Sequence, residues 1–363
     1  MKHTVLHDTA KLGQSVWLDT ISRDLILSGG LARWMEKGIA GVTTNPAIFE
    51  AAIAKTSDYD EEIRKMAGEG KTVSEIYEIL TLQEVGAAAD IMKPVYESSG
   101  GLDGYVSLEV NPLLASDFDS TVSEAKRLFA ALNRPNVMIK IPATPEGVRA
   151  IETVVSAGVN VNATLIFSDA AASQYASVAE AYVRGLEARA KAGETLKVAS
   201  VASVFVSRVD GVVDKMLAEK DRGGLQGKIA VDGARLTYQR FKDIFSTPAW
   251  KALEGKGAQV QRPLWASTGT KNPAYSDVLY VETLIGPDTV NTVPPATLSA
   301  YLDHGRVALT VEDDLEGAKR RMAELPDLGI DLKAVCDSLL EGGVEGFNTA
   351  FRTLLKAIET KAS

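Results

Sequence analysis

The sequence is poor in the side chains that bind metals and form disulfides. Its 363 residues include one cysteine, Cys336, and three histidines, His3, His7 and His304. A single cysteine allows no disulfide within the chain, which is typical of proteins from a reducing compartment. No HExxH, CxxC or EF-hand spacing occurs, so we expect no metal site. No glycine-rich phosphate loop of the P-loop or dinucleotide-binding type occurs either, and we expect no cofactor.

Long apolar runs and an excess of positive charge are also missing. No stretch approaches the ~20 apolar residues of a membrane span, and the opening residues, MKHTVLHD, lack the apolar core of a signal peptide. Acidic residues outnumber basic ones, 48 to 39, for a net charge of −9. This balance argues against nucleic acid or an anionic membrane as partner, although a local basic pocket is still compatible with it. We therefore expect a cytoplasmic protein.

Short apolar runs alternate with longer helical patterns along most of the chain. Eight of these runs are typical of strands, at residues 15–19, 42–45, 105–110, 137–142, 158–167, 197–205, 259–267 and 289–293. This alternation favours an α/β fold, a (β/α)8 TIM barrel with additional helices, over an open doubly wound sheet. We expect one domain, residues 1–363, with the barrel at about 15–310.

Several helical segments have recognisable ends. The stretch from Ser57 to Tyr96 is expected to be split at Gly68 and Gly70. Ser168 or Asp169 is suited to cap the alanine-rich helix that runs to about Lys191. Residues from about 311 to 363 form a C-terminal helical appendage. This appendage either covers the barrel mouth or contacts another subunit.

One lysine interrupts an apolar strand. Lys140 lies in the run Val137-Met138-Ile139-Lys140-Ile141-Pro142, which is otherwise typical of a strand buried on both faces. A buried ammonium is costly, so such a lysine is paired, reaches solvent or loses its proton. Schiff-base chemistry uses a neutral amine in such a place, because only that form attacks a carbonyl. The alternative is a lysine that extends to water or forms a structural ion pair.

Polar side chains recur where the expected strands end. They are Asp19, Asn45, Glu109, Lys140, Asn162, Thr164, Ser203 and Ser267. Each has a simpler explanation: Asp19 suits a helix cap, Asn45 with Pro46 suits a turn, and Glu109 suits a structural pair with Lys140. In a TIM barrel, however, the C-terminal ends of the strands converge at one mouth of the barrel, which we call the cup. Amine, carboxyl, amide and hydroxyl groups gathered there suit a hydroxylated carbonyl substrate.

Two segments after the later strands suit phosphate binding. Arg208 falls at the start of the helix after the sixth strand, where it is close to free backbone N–H groups. The alternative is a surface ion pair with Asp210 or Asp214. The loop Trp265-Ala266-Ser267-Thr268-Gly269-Thr270-Lys271 follows the seventh strand, where barrels frequently bind phosphate, although it also suits an ordinary turn.

The ordered motifs resemble those of the transaldolase family, in its longer bacterial form. They are Trp17-Leu18-Asp19, Gly41-Val42-Thr43-Thr44-Asn45-Pro46, Val106-Ser107-Leu108-Glu109-Val110, Ile139-Lys140-Ile141-Pro142-Ala143-Thr144, Asn162-Ala163-Thr164-Leu165-Ile166-Phe167-Ser168 and Ser203-Val204-Phe205-Val206-Ser207-Arg208-Val209-Asp210. The resemblance spans about Ser15 to Pro294 and is specific as a set, although each motif alone is common.

The resemblance implies transfer of a dihydroxyacetone unit in the non-oxidative pentose phosphate pathway. Sedoheptulose 7-phosphate and glyceraldehyde 3-phosphate would give erythrose 4-phosphate and fructose 6-phosphate, without a cofactor. By the same resemblance, Lys140 forms the Schiff base, Glu109 acts through a water that Thr164 positions, and Asp19 takes the proton when the carbon–carbon bond breaks. The residues implied in substrate binding are Asn45, Asn162, Ser203, Phe205, Arg208, Ser267 and Lys271.

The sequence departs from the family pattern at one position. Many relatives have an arginine two residues after the serine that corresponds to Ser267, and here that residue is Gly269. Lys271 is the nearby positive charge, but an ammonium lacks the two-pronged geometry of a guanidinium. Two other functions stay open: an aldolase that splits fructose 6-phosphate without an acceptor, and a non-catalytic barrel that binds sugar phosphates. The sequence is compatible with a monomer or a homodimer.

Overall fold

A computed structural model describes residues 3–167 and 173–363 of the chain. Across these residues, eight parallel strands close into a barrel in chain order, and the eighth pairs with the first. The strands are β1 (Gln14–Leu18), β2 (Gly41–Val42), β3 (Tyr105–Glu109), β4 (Val137–Pro142), β5 (Val161–Ile166), β6 (Ser200–Phe205), β7 (Arg262–Ala266) and β8 (Thr289–Val293). The predicted (β/α)8 barrel is confirmed.

Helices follow the strands, and further helices extend the fold after β8. The described α-helices are Val5–Lys11, Arg23–Leu27, Gly30–Glu36, Pro46–Phe49, Asp60–Gly68, Val73–Ser98, Phe118–Leu132, Pro145–Ser156, Gln174–Lys191, Ser207–Ala218, Ile229–Ile244, Pro248–Glu254, Leu279–Glu282, Pro295–His304, Leu315–Glu324 and Leu332–Ala362. A π-helical turn spans Glu50–Ala54, and 3-10 turns span Pro112–Leu114, Gly223–Leu225 and Pro326–Leu328. The predicted split after Gly68 and the C-terminal helices are confirmed, whereas Ser168 and Asp169 lie outside the described residues.

Local sequence signals explain why the helix after β4 begins where it does. The Thr144 hydroxyl accepts a hydrogen bond from the Gly147 N–H at 3.0 Å. Pro145 occupies the first helical position, where its fixed φ angle is favourable and its missing N–H costs nothing. The same Thr144 hydroxyl donates to the Ala115 carbonyl at 2.6 Å, which ties the end of β4 to the loop after β3. The strand that contains Lys140 therefore ends at a well-defined point.

A polar network fills the barrel interior at the N-terminal ends of the strands. Arg262 on β7 donates to Ser15 on β1 at 2.8 Å and to Asp103 at 2.9 Å. The Trp17 indole N–H also donates to Asp103, at 3.1 Å. Gly41 makes room for this indole, because a Cβ atom there would lie 2.5 Å from the ring. This end of the barrel is filled by mutually satisfied groups, so the cup for a ligand lies at the opposite end.

The structure corrects several predicted boundaries. The second strand was predicted to reach Asn45, but β2 ends at Val42, because Asn45 already caps the helix Pro46–Phe49 through a 3.0 Å bond from the Ile48 N–H. Ladder pairing starts later than predicted in β5, β6 and β7. Among the described residues, no helix is long and apolar enough to cross a membrane. The assignment of residues 1–363 to one domain stays a prediction.

Candidate active site

Lys140 lies inside the barrel wall, 4% exposed, with its amino group directed into the cup. Its Nζ donates to the Thr44 carbonyl at 3.0 Å and lies 3.8 Å from Glu109 Oε2. The ring of Phe347 lies on another side, with its centroid 5.8 Å from Nζ. Of the two simpler alternatives for Lys140, an extension to bulk water is wrong, whereas an ion pair is compatible with the nearby Glu109. The amino group is held by the Thr44 carbonyl, the Glu109 carboxyl group and the face of the Phe347 ring.

Strand register brings Glu109, Lys140 and Asn162 into one row. Glu109 on β3 is paired with Lys140 on β4, and Lys140 is paired with Asn162 on β5. Side chains of paired residues in a parallel ladder point to the same face, so the three groups are neighbours inside the barrel. The predicted convergence of these strand ends is thus a direct consequence of the pairing.

Glu109 is a buried carboxyl group without a hydrogen-bond donor among the described residues. The residue is 5% exposed, and neither carboxylate oxygen has a partner within hydrogen-bonding distance. Burial raises its pKa from 4.5 to about 7, against the opposing attraction of Lys140 and, more weakly, Arg208. A carboxyl group with this pKa exchanges protons near neutral pH, which is what acid–base catalysis requires.

Thr164 lies two residues beyond Asn162 on β5, paired with Pro142. It is fully buried, and its hydroxyl has no partner among the described residues, as is also true of the Glu109 oxygens. The next residue, Leu165, has a φ angle of 60° at the point where the β5–β6 register shifts. A left-handed conformation is unfavourable for leucine, so this strain is maintained by the surrounding packing.

Asp19 follows β1 and takes part in a hydroxyl chain across three strands. The Thr43 hydroxyl donates to Asp19 Oδ1 at 2.8 Å, and the Thr292 hydroxyl is in turn bonded to Thr43. Burial raises the pKa of Asp19, while the charges of Lys140 and Arg208 and the bond from Thr43 oppose the rise. The alternative role as a helix cap is wrong, because Ser22 caps the helix that follows.

A second chain of hydrogen bonds holds the amide of Asn162. The Ser203 hydroxyl donates to Asn162 Oδ1 at 2.6 Å, and Asn162 Nδ2 donates to the Ser107 hydroxyl at 3.0 Å. All three residues are buried and lie on β6, β5 and β3. Asn45 uses its Oδ1 as the helix cap, which leaves its amide Nδ2 available as a donor at the cup.

Arg208 lies on the cavity lining, at the start of the helix after β6. Its guanidinium lies 5.0 Å from the centroid of the Phe205 ring. Burial lowers the pKa of Arg208, while Asp19 and Glu109 oppose this. Among the described residues no carboxylate forms a salt bridge with it. A partly buried guanidinium of this kind is suited to bind an anion.

The alternative ion pairs of Arg208 are wrong. Asp210 accepts bonds from the Tyr280 hydroxyl and the Ala230 N–H, both at 2.8 Å. Asp214 accepts from the Tyr275 hydroxyl at 2.7 Å and from the Gly227 N–H at 2.9 Å. Both carboxylates are therefore used to anchor their helix to neighbouring loops.

Most of the predicted residues line one cavity of about 210 Å³ at the C-terminal end of the barrel. Its lining comprises Asp19, Thr43, Asn45, Lys140, Ser203, Phe205, Arg208, Ala266, Ser267, Gly269, Lys271, Thr292 and Pro294. Glu109, Asn162 and Thr164 are not on that lining; they lie behind Lys140, in the wall on the β3–β5 side. The structure thus brings the predicted site residues together but divides them into two groups. One group lines the cavity, and the other is buried in the barrel wall behind Lys140.

The loop after β7 contributes to the lining next to Arg208. Ser267 has a φ angle of 55°, and its hydroxyl is 2.9 Å from that of Ser207. Lys271 is exposed at the rim. Gly269 has no side chain to enter the cavity, and a Cβ atom there would lie 3.4 Å from Pro294 and Thr297, which is an ordinary contact distance.

Sequence reasoning missed four residues of the site. Thr43 precedes the expected strand end by two residues, and Thr292 lies on β8, for which no strand-end residue was predicted. Ser107 lies two residues before Glu109 on β3 and so shares its face of the strand. The two-residue repeat of a strand could therefore have identified Ser107. Phe347 comes from the helix Leu332–Ala362, and no local pattern connects it with Lys140. Among the described residues, no group of three metal-binding side chains occurs.

The chain is similar in sequence to known proteins over nearly its whole length. A family model described as Transaldolase/Fructose-6-phosphate aldolase matches residues 16–358. A transaldolase of Trichodesmium erythraeum is 47% identical, with 98% of this chain and 97% of the relative covered. A transaldolase of Thiobacillus denitrificans is 46% identical, with 98% and 99% covered. A solved structure of 2,3-dimethylmalate lyase aligns over 95% of this chain and 99% of its own chain, at 12% identity and with a TM-score of 0.27.

These matches extend over the barrel and the C-terminal helix and include every residue of the cavity lining. The chain belongs to the transaldolase/fructose-6-phosphate aldolase family.

Proposed function

We propose that the protein is a transaldolase, which moves a dihydroxyacetone unit from a ketose phosphate to an aldose phosphate through a Schiff base on Lys140. The observation that carries this proposal is the buried pair of Lys140 and Glu109, 3.8 Å apart, beside a cavity also lined by Asp19 and Arg208. The relatives at 46–47% identity are themselves named transaldolase. The substrates are sedoheptulose 7-phosphate and glyceraldehyde 3-phosphate, and the products are erythrose 4-phosphate and fructose 6-phosphate.

The first step forms the imine. The Lys140 amine attacks the ketose carbonyl, and the resulting carbinolamine loses its hydroxyl as water when that oxygen is protonated. Glu109 supplies this proton through a water molecule held with Thr164. The unpartnered oxygens of both side chains support this role, because buried polar groups without protein partners are suited to bind water.

The second step breaks the carbon–carbon bond. Asp19 takes the proton from the substrate hydroxyl next to the bond, the aldose phosphate leaves, and the electron pair moves into the protonated imine to give an enamine. The raised pKa of Asp19 favours this role, because it makes the carboxylate a better base. In the return step the enamine carbon attacks the acceptor aldehyde, and Asp19 gives the proton back to the new alkoxide. Hydrolysis of the imine then frees Lys140.

The proposed substrate-binding residues form two groups, one for the hydroxyl groups of the substrate and one for its phosphate. Asn45 and Ser203 hold the hydroxyls of the dihydroxyacetone unit near Lys140, and Asn162, behind the lining, orients the Ser203 hydroxyl that donates to it. Arg208 and Ser267 hold the phosphate at the other end of the cavity, and Lys271 adds a positive charge at the rim. The absence of a bound carboxylate at Arg208 supports this, since the guanidinium keeps its donors for the substrate.

The alternative within the family is a fructose 6-phosphate aldolase, in which the enamine is protonated by water and dihydroxyacetone is released. Dependence on the acceptor distinguishes the two. We expect the protein to release glyceraldehyde 3-phosphate from fructose 6-phosphate rapidly only when erythrose 4-phosphate is present. Equal rates with and without the acceptor would exclude the transaldolase and favour the aldolase. A non-catalytic barrel would produce neither rate.

We further propose that the protein works in the cytoplasm, as a monomer or a homodimer, with sugar phosphates as its partners. The single buried cysteine supports a reducing compartment.

A further inference from the structure

The C-terminal helix Leu332–Ala362 crosses the barrel mouth. Its buried residues recur with helical spacing and include Gly343, Phe347, Phe351, Leu354 and Ile358. This helix packs on elements that follow β2, β3 and β6, as well as on β5 itself: Pro46–Phe49, Glu50–Ala54, Pro112–Leu114, Ser207–Ala218 and Val161–Ile166. Near its end, Lys361 pairs with Asp60 and donates to the Thr56 carbonyl. The helix is therefore attached at both sides of the cup.

Two residues of this helix lie against the catalytic groups. A Cβ atom at Gly343 would approach a methyl carbon of Leu165 to 2.9 Å and Arg208 Nη1 to 3.6 Å, so glycine allows the helix to lie close to β5. One turn later Phe347, 4% exposed, places its ring 5.8 Å from Lys140 Nζ. The helix leaves little space for water above Lys140 on this side.

The cup is covered unevenly. The open cavity is lined by Lys140 of β4 and by residues on or after β1, β2, β6, β7 and β8, and neither Glu109 nor Thr164 is on its lining. Those two groups lie on the side that the C-terminal helix covers, next to β5 and the turn Pro112–Leu114. The open cavity therefore lies on one side of Lys140, and Glu109 lies buried on the other.

We propose that Phe347 is a positioning residue that shields the Lys140 intermediate from water and thereby favours transfer over release. This rests on the proposed transaldolase reaction. After cleavage the enamine has two fates. Its carbon attacks the acceptor aldehyde, or the same carbon takes a proton from water, after which a second water adds to the imine and dihydroxyacetone leaves as Lys140 is freed. Both fates end with hydrolysis of an imine, but only in the second does the enamine carbon take a proton from water, so exclusion of water from that carbon favours the first.

The test replaces Phe347 by alanine and uses Phe351→Ala as the matched control. Both phenylalanines are 4% exposed on the same helix face, but Phe351 packs edge-on against Tyr77 with ring centroids 5.1 Å apart. The measurement is free dihydroxyacetone from fructose 6-phosphate, relative to transfer to erythrose 4-phosphate. We expect Phe347→Ala to raise this ratio by about tenfold, equivalent to ~1.4 kcal/mol between the two barriers. Phe351→Ala should keep the wild-type ratio.

A second readout separates shielding from loss of stability. Water admitted beside Glu109 should lower its pKa from about 7, so the acid limb of the pH–rate profile should move to lower pH in Phe347→Ala. If Phe347→Ala does not fold, Phe347→Leu should change the ratio in the same direction by a smaller factor.

The outcomes are distinguishable. Equal ratios in the Phe347 and Phe351 variants, with an unchanged acid limb, would overturn the shielding role and leave the Schiff base untouched. A wild-type protein that forms no borohydride-trapped adduct with fructose 6-phosphate would instead overturn the proposed function, and the shielding role with it.

Discussion

Replacement of Glu109 by glutamine should stabilise the protein while it impairs catalysis. Glutamine resembles the protonated carboxyl group in shape and charge. Burial raises the pKa of Glu109 from 4.5 to about 7, so the folded protein binds this proton more tightly than the unfolded chain does. Ionisation of Glu109 therefore costs stability as pH rises from 4.5 to 7, and the full cost is present above pH 7. At 1.36 kcal/mol per pKa unit the cost is about 3 kcal/mol, with the attraction of Lys140 already included.

Urea denaturation at two pH values measures this difference. Glu109→Gln should exceed the wild type by about 3 kcal/mol at about pH 8.5, and by less than about 1 kcal/mol at about pH 5. Glu341→Gln, at an exposed position of the C-terminal helix, is the control and should give no such pH-dependent gain. Imine formation in Glu109→Gln should be slower by about 10²–10⁴-fold. A variant less stable than the wild type at the higher pH, or a gain independent of pH, would refute the reasoning.

Three further predictions follow from the site. Imine formation in a single turnover should fall about tenfold per pH unit below about pH 7, because protonated Glu109 no longer takes the proton that the Lys140 amine loses as it attacks; a flat acid limb would argue against Glu109. Asp19→Ala should still form the borohydride adduct but slow transfer by about 10²–10⁴-fold, and unchanged turnover would remove Asp19 from the mechanism. Arg208→Gln should raise KM for fructose 6-phosphate about 10–100-fold and change that for unphosphorylated fructose little; an equal loss for both would exclude a phosphate contact.

The row of Glu109, Lys140 and Asn162 could be predicted because parallel strands end at the same edge of a barrel. Once the strands were located by their apolar runs, the position of each polar residue within its run placed it near the mouth. Ladder pairing then accounts for the row. The division between groups that line the cavity and groups behind it could not be predicted, since it depends on which side the C-terminal helix covers.

Other features depend on contacts between distant parts of the chain. Thr43 and Thr292 belong to the site because β1, β2 and β8 are neighbours in the closed barrel, which becomes evident only after closure. Asn45 serves both as a helix cap and as a cavity residue, and its Asn-Pro pattern indicated only that the strand ends there. Phe347 reaches Lys140 through tertiary packing alone. Local periodicity located the strands, but it carried no information on how the C-terminal helix docks.

Borohydride reduction in the presence of fructose 6-phosphate tests the central claim most directly. Mass spectrometry of the digested protein should find a reduced dihydroxyacetone adduct, or that of the whole ketose, on the peptide that contains Lys140. The adduct should disappear in Lys140→Ala and persist in Lys93→Ala, which replaces an exposed lysine. An adduct that survives Lys140→Ala, or that forms on another lysine of the wild type, would contradict the account.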